Sequence, residues 1–390
     1  MDQARGESPA QWRRVRRLLN EHRTTLAAMA AGLYPDLPRV AGTDLLCWPG
    51  WRPATPLDLA DVPLGWVSDP PPPAVEGTGT ATAHVLPRSG TGQAYPAYAA
   101  AIEALDRPAL FENRVCYRLL DADLGGPARS GRPGLRFGPS RYFDAVNLGG
   151  AVGHELTAAW ASDSAATGGP PALADLPLRA SVGDPCALPR RSALTAVTTV
   201  TLRRARDGTA SFLLHWRDPA RVNHAGGLYQ VMPAGIFQPV SAAPAAQRHD
   251  LSLWRCMTRE FSEELLGGSE EYPTRAGRLD YGRWPFHREL AAARDAGTLR
   301  VTCLGLGVDP LTLATDILTV AVFEATVFDR VFRGLVGENA EGRVVTQDGS
   351  AAIPFTRANV ARFTGGGEPV QTAGQALLRL AWQHREFLGV

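Results

Sequence analysis

The sequence contains little cysteine, and its few cysteines are scattered. Its 390 residues include only Cys47, Cys116, Cys186, Cys256 and Cys303, which lie far apart in the chain. No two of them have the spacing of metal ligands, and their odd number argues against a disulfide framework. They predict reduced thiols, as found in a cytoplasmic protein.

The sequence also lacks an excess of either charge. Its 40 basic and 39 acidic residues leave a formal net charge of +1, so no global field favours nucleic acid or a membrane surface. A hydrophobic share of 45% and a charged share of 20% are typical of a soluble globular protein. The length allows two or three domains.

Long apolar runs are absent as well. No run reaches the roughly 18–20 residues that a membrane-spanning helix needs. The first residues, MDQARGESPAQWRRVRR, contain no apolar segment of the kind that signal peptides carry. We therefore expect no membrane partner and a cytoplasmic location.

Residues 1–185 carry no motif of a known family, and their pattern predicts an irregular α+β extension. Residues 11–33 have helical periodicity and a basic first half, which predicts an amphipathic surface helix. Contact with nucleic acid is the alternative, although no second helix completes a reader module. Four arginines lie near aromatic residues in this half: Arg114, Arg118, Arg136 and Arg141. They leave two interpretations open, a packed structural layer or a substrate lid.

From about residue 186 onward, strand and helix signals alternate. β-Branched residues at 193–205, a turn at 206–208 and the segment 209–217 predict a β-hairpin. Further strands are predicted at 226–240, 299–308, 316–327 and 343–346, and helices at 250–266, 284–296, 356–363 and 370–387. This order predicts a mixed-sheet α/β/α sandwich over residues 186–390.

The helix predicted at 250–266, with Asp250 as its N-cap, gathers three carboxylates on one face. Glu260, Glu263 and Glu264 stand at offsets 0, +3 and +4, which point the same way on a helix. Such pairs repel each other by roughly 0.2–0.5 kcal/mol. A solvated acidic face, a basic partner surface and a divalent cation with oxygen ligands each account for the cluster, and composition alone leaves all three open.

The stretch from residue 235 to 268 resembles the Nudix signature, Gly-x5-Glu-x7-Arg-Glu-U-x-Glu-Glu-x-Gly-U, in which U is a bulky aliphatic residue. Six consecutive residues fill its core: Arg259, Glu260, Phe261, Ser262, Glu263 and Glu264. Gly235 resembles the first glycine. The resemblance extends over roughly residues 190–390 and implies a Nudix-like fold in this half.

Three departures from the signature affect its first and last parts. Gly235 and Arg259 stand ten residues further apart than in the family, with SAAPAAQRHD between them. The first glutamate of the signature has no counterpart. Leu266 occupies the place of the closing glycine, and Gly267 follows it. We therefore expect a reshaped turn beside an intact metal-binding part.

The resemblance implies a metal centre. Nudix enzymes bind Mg²⁺ or Mn²⁺, and the matching residues here are Glu260, Glu263, Glu264 and the carbonyl of Gly235. Arg259 matches the family's arginine, which braces a glutamate by an ion pair. By the same resemblance, Glu260 and Arg259 belong to the catalytic machinery.

The general base of the family often lies in a late loop. Glu338 and Glu341 occupy that place in this sequence, and Glu324 on a neighbouring strand is a further candidate. For each of the three, a solvated carboxylate is the alternative interpretation.

Together these features predict metal-dependent hydrolysis of a nucleoside diphosphate linked to another moiety. Arg217, Arg221 and His224 are candidates for substrate contacts at the end of the hairpin. For the two arginines, a solvated surface position is the alternative. The alternative is a non-catalytic nucleotide-binding module that serves as a sensor or regulatory partner, which the altered signature favours. Either way, the expected partner is a small nucleotide-type molecule rather than nucleic acid, and a homodimer is a further option.

Overall fold

The computed structural model describes residues 7–126, 133–163, 170–218, 226–269, 272, 274–275, 277–339, 342–345 and 352–390. Three of the predicted site residues, Arg221, His224 and Glu341, lie outside these described residues.

The strands of the described residues are β1 (Leu57–Asp58), β2 (Leu64–Trp66), β3 (Val115–Asp123), β4 (Gly134–Arg141), β5 (Thr195–Arg204), β6 (Ala210–Phe212), β7 (Leu214–Arg217), β8 (Tyr229–Val231), β9 (Ala234–Ile236), β10 (Thr274–Arg275), β11 (Arg278–Leu279), β12 (Leu299–Val308), β13 (Thr315–Glu324), β14 (Gly342–Val344) and β15 (Ile353–Pro354). The α-helices are α1 (Pro9–Glu21), α2 (Arg23–Gly32), α3 (Tyr98–Leu105), α4 (Tyr142–Asp163), α5 (Pro177–Val182), α6 (Pro244–His249), α7 (Leu253–Glu260), α8 (Pro285–Asp295), α9 (Ala325–Val331), α10 (Arg357–Thr364), α11 (Thr372–Gln383) and α12 (Arg385–Leu388).

A seven-stranded mixed sheet forms the centre of the molecule, in the order β1-β12-β13-β5-β6-β15, with β9 also paired to β5. β13 and β5 run parallel, and the other pairs are antiparallel. β5 and β13 are buried along most of their length, which explains their continuous β-branched and apolar sequences. Since α7 and α11 pack against β5, the predicted mixed α/β class is confirmed.

Two three-stranded sheets flank this centre. β14-β7-β8 lies in the second half, and β2-β4-β3 belongs to the first half. In the first half, α1 and α3 pack on the long helix α4. The first half therefore combines short strands with helices.

The division at residue 186 stays a prediction, and many contacts cross it. β1 pairs with β12, and the backbone N–H of Tyr117 donates to the carbonyl of Phe237 over 3.1 Å. The rings of these two residues lie 4.5 Å apart. One of the hydrophobic clusters contains buried residues from both halves, so each half contributes to the packing of the other.

Several boundaries differ from those that periodicity predicts. The helix expected at 11–33 is two helices, α1 and α2, which meet at the non-helical residue His22. The strand expected at 316–327 ends at Glu324, where α9 begins. The long final helix is interrupted at His384.

Helix α7 and the helical turn that continues it to Leu265 carry Glu260, Glu263 and Glu264 and are called here the acidic helix. Its N-cap is Ser252 rather than Asp250. The Ser252 hydroxyl accepts the N–H of Arg255 over 3.3 Å. The Asp250 carboxylate is instead occupied by the N–H of Val240 at 2.9 Å and the hydroxyl of Tyr281 at 3.0 Å. A buried carboxylate with two donors elsewhere is not available as a cap.

All five cysteines lie within the described residues, and each is buried and unbridged. Among the helices of those residues, none has the length and apolar character to cross a membrane.

Candidate functional site

A cavity of about 690 Å³ lies between the two halves of the chain. Its walls include the acidic helix end, the starts of β9 and β13, and residues of α1, α3 and α4. Of the predicted site residues, it brings together Gly235, Glu260, Glu263, Glu264 and Glu338, with Arg217 also on its wall. The cavity has the volume of a typical ligand pocket, about 300–1,000 Å³.

Apolar packing fixes the helix that carries the acidic residues. Leu253, Cys256 and Met257 of α7 are buried, and so are Phe261 and Leu265 beyond it. Their spacing forms one apolar stripe that packs on the core. The carboxylates beside this stripe are held at the edge of the cavity.

The last part of the acidic helix is a π-helical turn, Phe261–Leu265, which carries Glu263 and Glu264. A π-turn accommodates one more residue than an α-turn, and such turns are frequent at functional sites. Gly267 then ends the helix with a φ of +67°. The extra residue of the π-turn accounts for the closing glycine standing one position later than in the Nudix signature.

Gly235 of β9 allows this strand to lie directly against the acidic helix. A Cβ at this position would overlap the carboxylate of Glu260. The neighbouring N–H of Ala234 donates to Glu264 Oε1 over 2.8 Å. Glycine is therefore required here by close approach rather than by an unusual φ.

Glu263 is held from a different direction. The hydroxyl of Tyr272 donates to Glu263 Oε1 over 2.7 Å, and it also lies 3.3 Å from the carbonyl oxygen of Arg259. Glu263 is half-buried, whereas Glu260 and Glu264 are buried. The three carboxylates thus have distinct surroundings on one cavity wall.

Arg259 braces the site through neutral partners. Its guanidinium donates to the hydroxyl of Tyr281 and to the carbonyl of Gln238, each over 2.5 Å. Within the described part of the chain it makes no ion pair with a carboxylate of the kind that the resemblance implies. Its contacts with Gln238 join the acidic helix to the segment that follows β9.

The ten-residue insertion forms a short helix of its own. α6 fills most of the SAAPAAQRHD stretch and ends at His249, directly before Asp250. Because Asp250 bonds the hydroxyl of Tyr281, which in turn bonds Arg259, the insertion is tied to the acidic helix. It lengthens the connection and leaves the contact between Gly235 and Glu260 intact.

The late loop lies next to the acidic helix. Glu338 lines the cavity, and the side-chain amide of Asn339 donates to the backbone carbonyl of Glu264 over 3.2 Å. Glu324 lies away from the cavity lining, and its carboxylate pairs with Arg204 at 3.4 Å. Of the described base candidates, Glu338 is the one beside the cavity.

Two polar residues that line the cavity, Arg191 and Asp316, were not predicted because they belong to no recognised sequence motif. Arg191 is buried, and burial lowers the pKa of its guanidinium to about 10, so it stays positive at neutral pH. Asp316 is buried at the start of β13, and burial raises the pKa of its carboxyl to about 7. A ligand in the cavity therefore meets a fixed cation and an acid that titrates near neutrality.

The carboxylates match a hard divalent cation by chemical type. Such cations take oxygen ligands at about 2.0–2.6 Å, and the three glutamates and the Gly235 backbone line the same cavity. No group of three or more histidine, cysteine or acidic side chains in the described ranges already has the geometry of a metal site. The carboxylate and carbonyl oxygens fit Mg²⁺ or Mn²⁺ by chemical type. These side chains alone do not form a complete coordination shell.

Comparison with solved structures gives a structural likeness, whereas comparison with families and curated sequences gives no match. Among solved structures, the chain is similar to a Nudix hydrolase from Alicyclobacillus acidocaldarius, with 17% identity and a TM-score of 0.27. The match covers 50% of this chain and 95% of that one. A TM-score this low adds no argument about function.

Proposed function

We propose that this protein is a hydrolase that cleaves a phosphoanhydride bond of a small nucleotide-type substrate, with Mg²⁺ or Mn²⁺ as cofactor. The observation that carries the proposal is the placement of Glu260, Glu263 and Glu264 on one wall of a 690 Å³ cavity that arginines also line. Carboxylates suit the cation, and guanidinium groups suit phosphate oxygens.

The chain's own residues supply binding and orientation. Glu260, Glu263, Glu264 and the Gly235 carbonyl would hold the cation, which when bound neutralises a diphosphate and lowers the pKa of a coordinated water. Arg191 presents a positive charge whose position is fixed by donation to the carbonyls of Pro185 and Leu313 and to the Thr315 hydroxyl. A guanidinium fixed in this way orients phosphate oxygens without further ordering.

Glu338 is the proposed general base. It lines the cavity in the loop that Asn339 ties to the backbone of Glu264. A carboxylate there can accept a proton from a water that attacks phosphorus. Arg217 lines the same cavity and is proposed to contact the substrate.

A second candidate function is nucleotide binding without turnover. Two observations favour it: the signature's first glutamate has no counterpart, and the described carboxylates do not form a closed metal cage. A binding module would keep the cavity and its arginines while lacking the cation that drives hydrolysis.

A hydrolysis assay distinguishes the two functions. ADP-ribose, dinucleotides, nucleotide sugars and nucleoside triphosphates are incubated with Mg²⁺ or Mn²⁺, and released phosphate or monophosphate is measured. We expect Glu263→Gln and Glu264→Gln to lower turnover by about a hundredfold or more, since losing one electrostatic stabiliser costs roughly 10²–10³-fold in rate. The matched control is Glu324→Gln, whose carboxylate pairs with Arg204 outside the cavity.

Tight binding of a nucleotide that persists with a chelator, without product, would contradict the hydrolase and support the binding module. Equal activity in Glu263→Gln and Glu324→Gln would also contradict the assigned metal site.

A further inference from the structure

The first half of the chain builds a second, apolar wall of the cavity. Tyr98 and Ile102 of α3, Phe111, and Tyr142 and Val146 of α4 line it. These residues belong to, or pack on, a separate hydrophobic cluster that also contains Trp12 and Leu148. This wall, called here the aromatic wall, is therefore part of a formed core.

The rings of the aromatic wall are fixed by packing. Phe111 and Phe143 stack with centroids 4.6 Å apart and planes at 29°, and Tyr142 lies 6.1 Å from Phe143. A Cβ at Gly150 of α4 would overlap the ring of Tyr98, so the glycine lets this ring lie directly on the helix. Tyr98 and Phe111 are 1% and 3% exposed, so only small parts of these rings border the cavity. Tyr142 is half-buried, and a ring fixed by packing loses little entropy when a ligand binds against it.

The floor of the cavity connects the aromatic wall to the carboxylates. Asp316, Ala196 and Ile236 are in register on β13, β5 and β9, and all three line the cavity. Asp316 is the one ionisable residue among the described residues of these strands that do so. Its Oδ1 accepts a 2.6 Å hydrogen bond from the Thr198 hydroxyl.

A second acceptor belongs to a residue that lines the cavity. Gln230 of β8 lines the cavity and is 4% exposed. Within the described ranges its buried side-chain oxygen, Oε1, has no hydrogen-bond donor. A buried acceptor left unpaired costs about 1–3 kcal/mol. Rotation of the Gln230 side-chain amide toward the cavity would allow a ligand with an N–H or O–H group to satisfy it.

We propose that the aromatic wall, with Asp316 and Gln230, is the specificity site for the organic group of the substrate, a planar aromatic group that carries N–H or O–H donors. The placement of this group beyond the phosphates rests on the proposed function. Binding of the group itself does not, because its contacts are distinct from the metal-binding carboxylates.

Two probes separate the ends of the cavity. Adenosine carries a planar ring with donors and no phosphate, and methylenediphosphonate with Mn²⁺ carries the phosphate chemistry without a ring. Binding of each is measured by calorimetry to the full chain. We expect Phe111→Ala to weaken adenosine binding by about tenfold or more, as for other losses of apolar contact in a pocket, and to leave diphosphonate binding unchanged. Glu263→Gln is expected to do the reverse.

The matched control is Phe387→Ala, because Phe387 is an exposed phenylalanine outside the cavity lining. Gln230→Met keeps the length of the side chain and removes the acceptor, and we expect about tenfold weaker adenosine binding. If Phe111→Ala lowers the thermal stability too far for calorimetry, Phe111→Leu removes the ring while retaining bulk.

The proposal would be overturned if the unaltered chain bound none of adenosine, guanosine and uridine. It would also be overturned if the Phe111 and Phe387 variants bound adenosine equally tightly, or if an aliphatic alcohol such as geraniol bound more tightly than adenosine. Failure of the proposed hydrolase alone looks different. In that case adenosine still binds and depends on Phe111, while no Mn²⁺-dependent diphosphonate binding or turnover is seen.

Discussion

The two ends of the cavity are held in place by different interactions. One is the acidic end, formed by Glu260, Glu263 and Glu264, and the other is the aromatic wall. At the acidic end, side chains are held by directed hydrogen bonds, such as those from Ala234 to Glu264 and from Tyr272 to Glu263. At the aromatic wall, rings are held by packing, as in the stack of Phe111 on Phe143. Hydrogen bonds therefore fix the positions of the charged carboxylates, and apolar packing fixes the shape of the opposite cavity wall.

This difference has consequences for substitution. A polar contact at the acidic end controls the position of one oxygen atom, so a small change there is expected to alter cation binding first. A change at the aromatic wall removes contact area and is expected to alter affinity for the organic group first. The following variants test whether the two ends respond separately.

The largest effect is expected for Gly235→Ala. Its Cβ would overlap the carboxylate of Glu260, so this side chain has to move away from its position on the cavity wall. We expect Mn²⁺ binding to weaken by a hundredfold or more, about 3 kcal/mol, as measured by calorimetry. The control is Gly32→Ala, where an added Cβ meets no atom within 4 Å.

If Gly235→Ala bound Mn²⁺ as tightly as the control, the contact with Glu260 would have no part in cation binding. If it instead lost adenosine binding and kept Mn²⁺, the separation of the two ends would be wrong.

The grouping of the three glutamates on one wall could be predicted because these residues are close in sequence. Glu260, Glu263 and Glu264 lie within five residues, and helical geometry alone puts them on one side. The π-turn, by contrast, depends on hydrogen bonds that composition does not encode. The N-cap is Ser252 and not Asp250 because the fold brings Val240 and Tyr281 close to the Asp250 carboxylate, which accepts their hydrogen bonds.

The aromatic wall could not be predicted in the same way. Tyr98, Phe111 and Tyr142 stand in three separate segments with no common spacing, and only tertiary packing brings them together. Of the four arginines noted near aromatic residues, Arg114 lines the cavity and Arg118 does not. Proximity in sequence is therefore a weak guide to which side chains line the cavity.

The next effect in size is expected for Asp316→Asn, and it depends on pH. Burial raises the carboxyl pKa to about 7 against the opposing hydrogen bond from Thr198, with a smaller contribution from Asp309. Between the unfolded pKa of about 4 and pH 7, the folded state holds more protons than the unfolded state, so its stability falls as pH rises. The neutral asparagine removes this loss.

We expect Asp316→Asn to be more stable than the unaltered chain at pH 8 by on the order of 2 kcal/mol, with the difference shrinking towards pH 4. Thermal unfolding at several pH values measures this. The control is Asp329→Asn, because Arg203 lowers the pKa of that carboxyl and the variant should gain nothing at high pH. A pH-independent difference for Asp316→Asn would show that its carboxyl does not titrate in this range.

The smallest effect is expected for Tyr272→Phe, which removes the donor to Glu263 Oε1 and leaves the ring packed on Trp284 at 5.3 Å. One such hydrogen bond contributes about 1 kcal/mol, so Mn²⁺ binding should weaken by about three- to tenfold. Tyr95→Phe is the control, since the Tyr95 hydroxyl makes no hydrogen bond to the described residues. Adenosine affinity should not change in either variant, because the contacts of Tyr272 with described residues lie at the acidic helix and at Trp284, and not at the aromatic wall. A parallel loss of adenosine binding would mean that the polar contacts of one end also position the rings of the other.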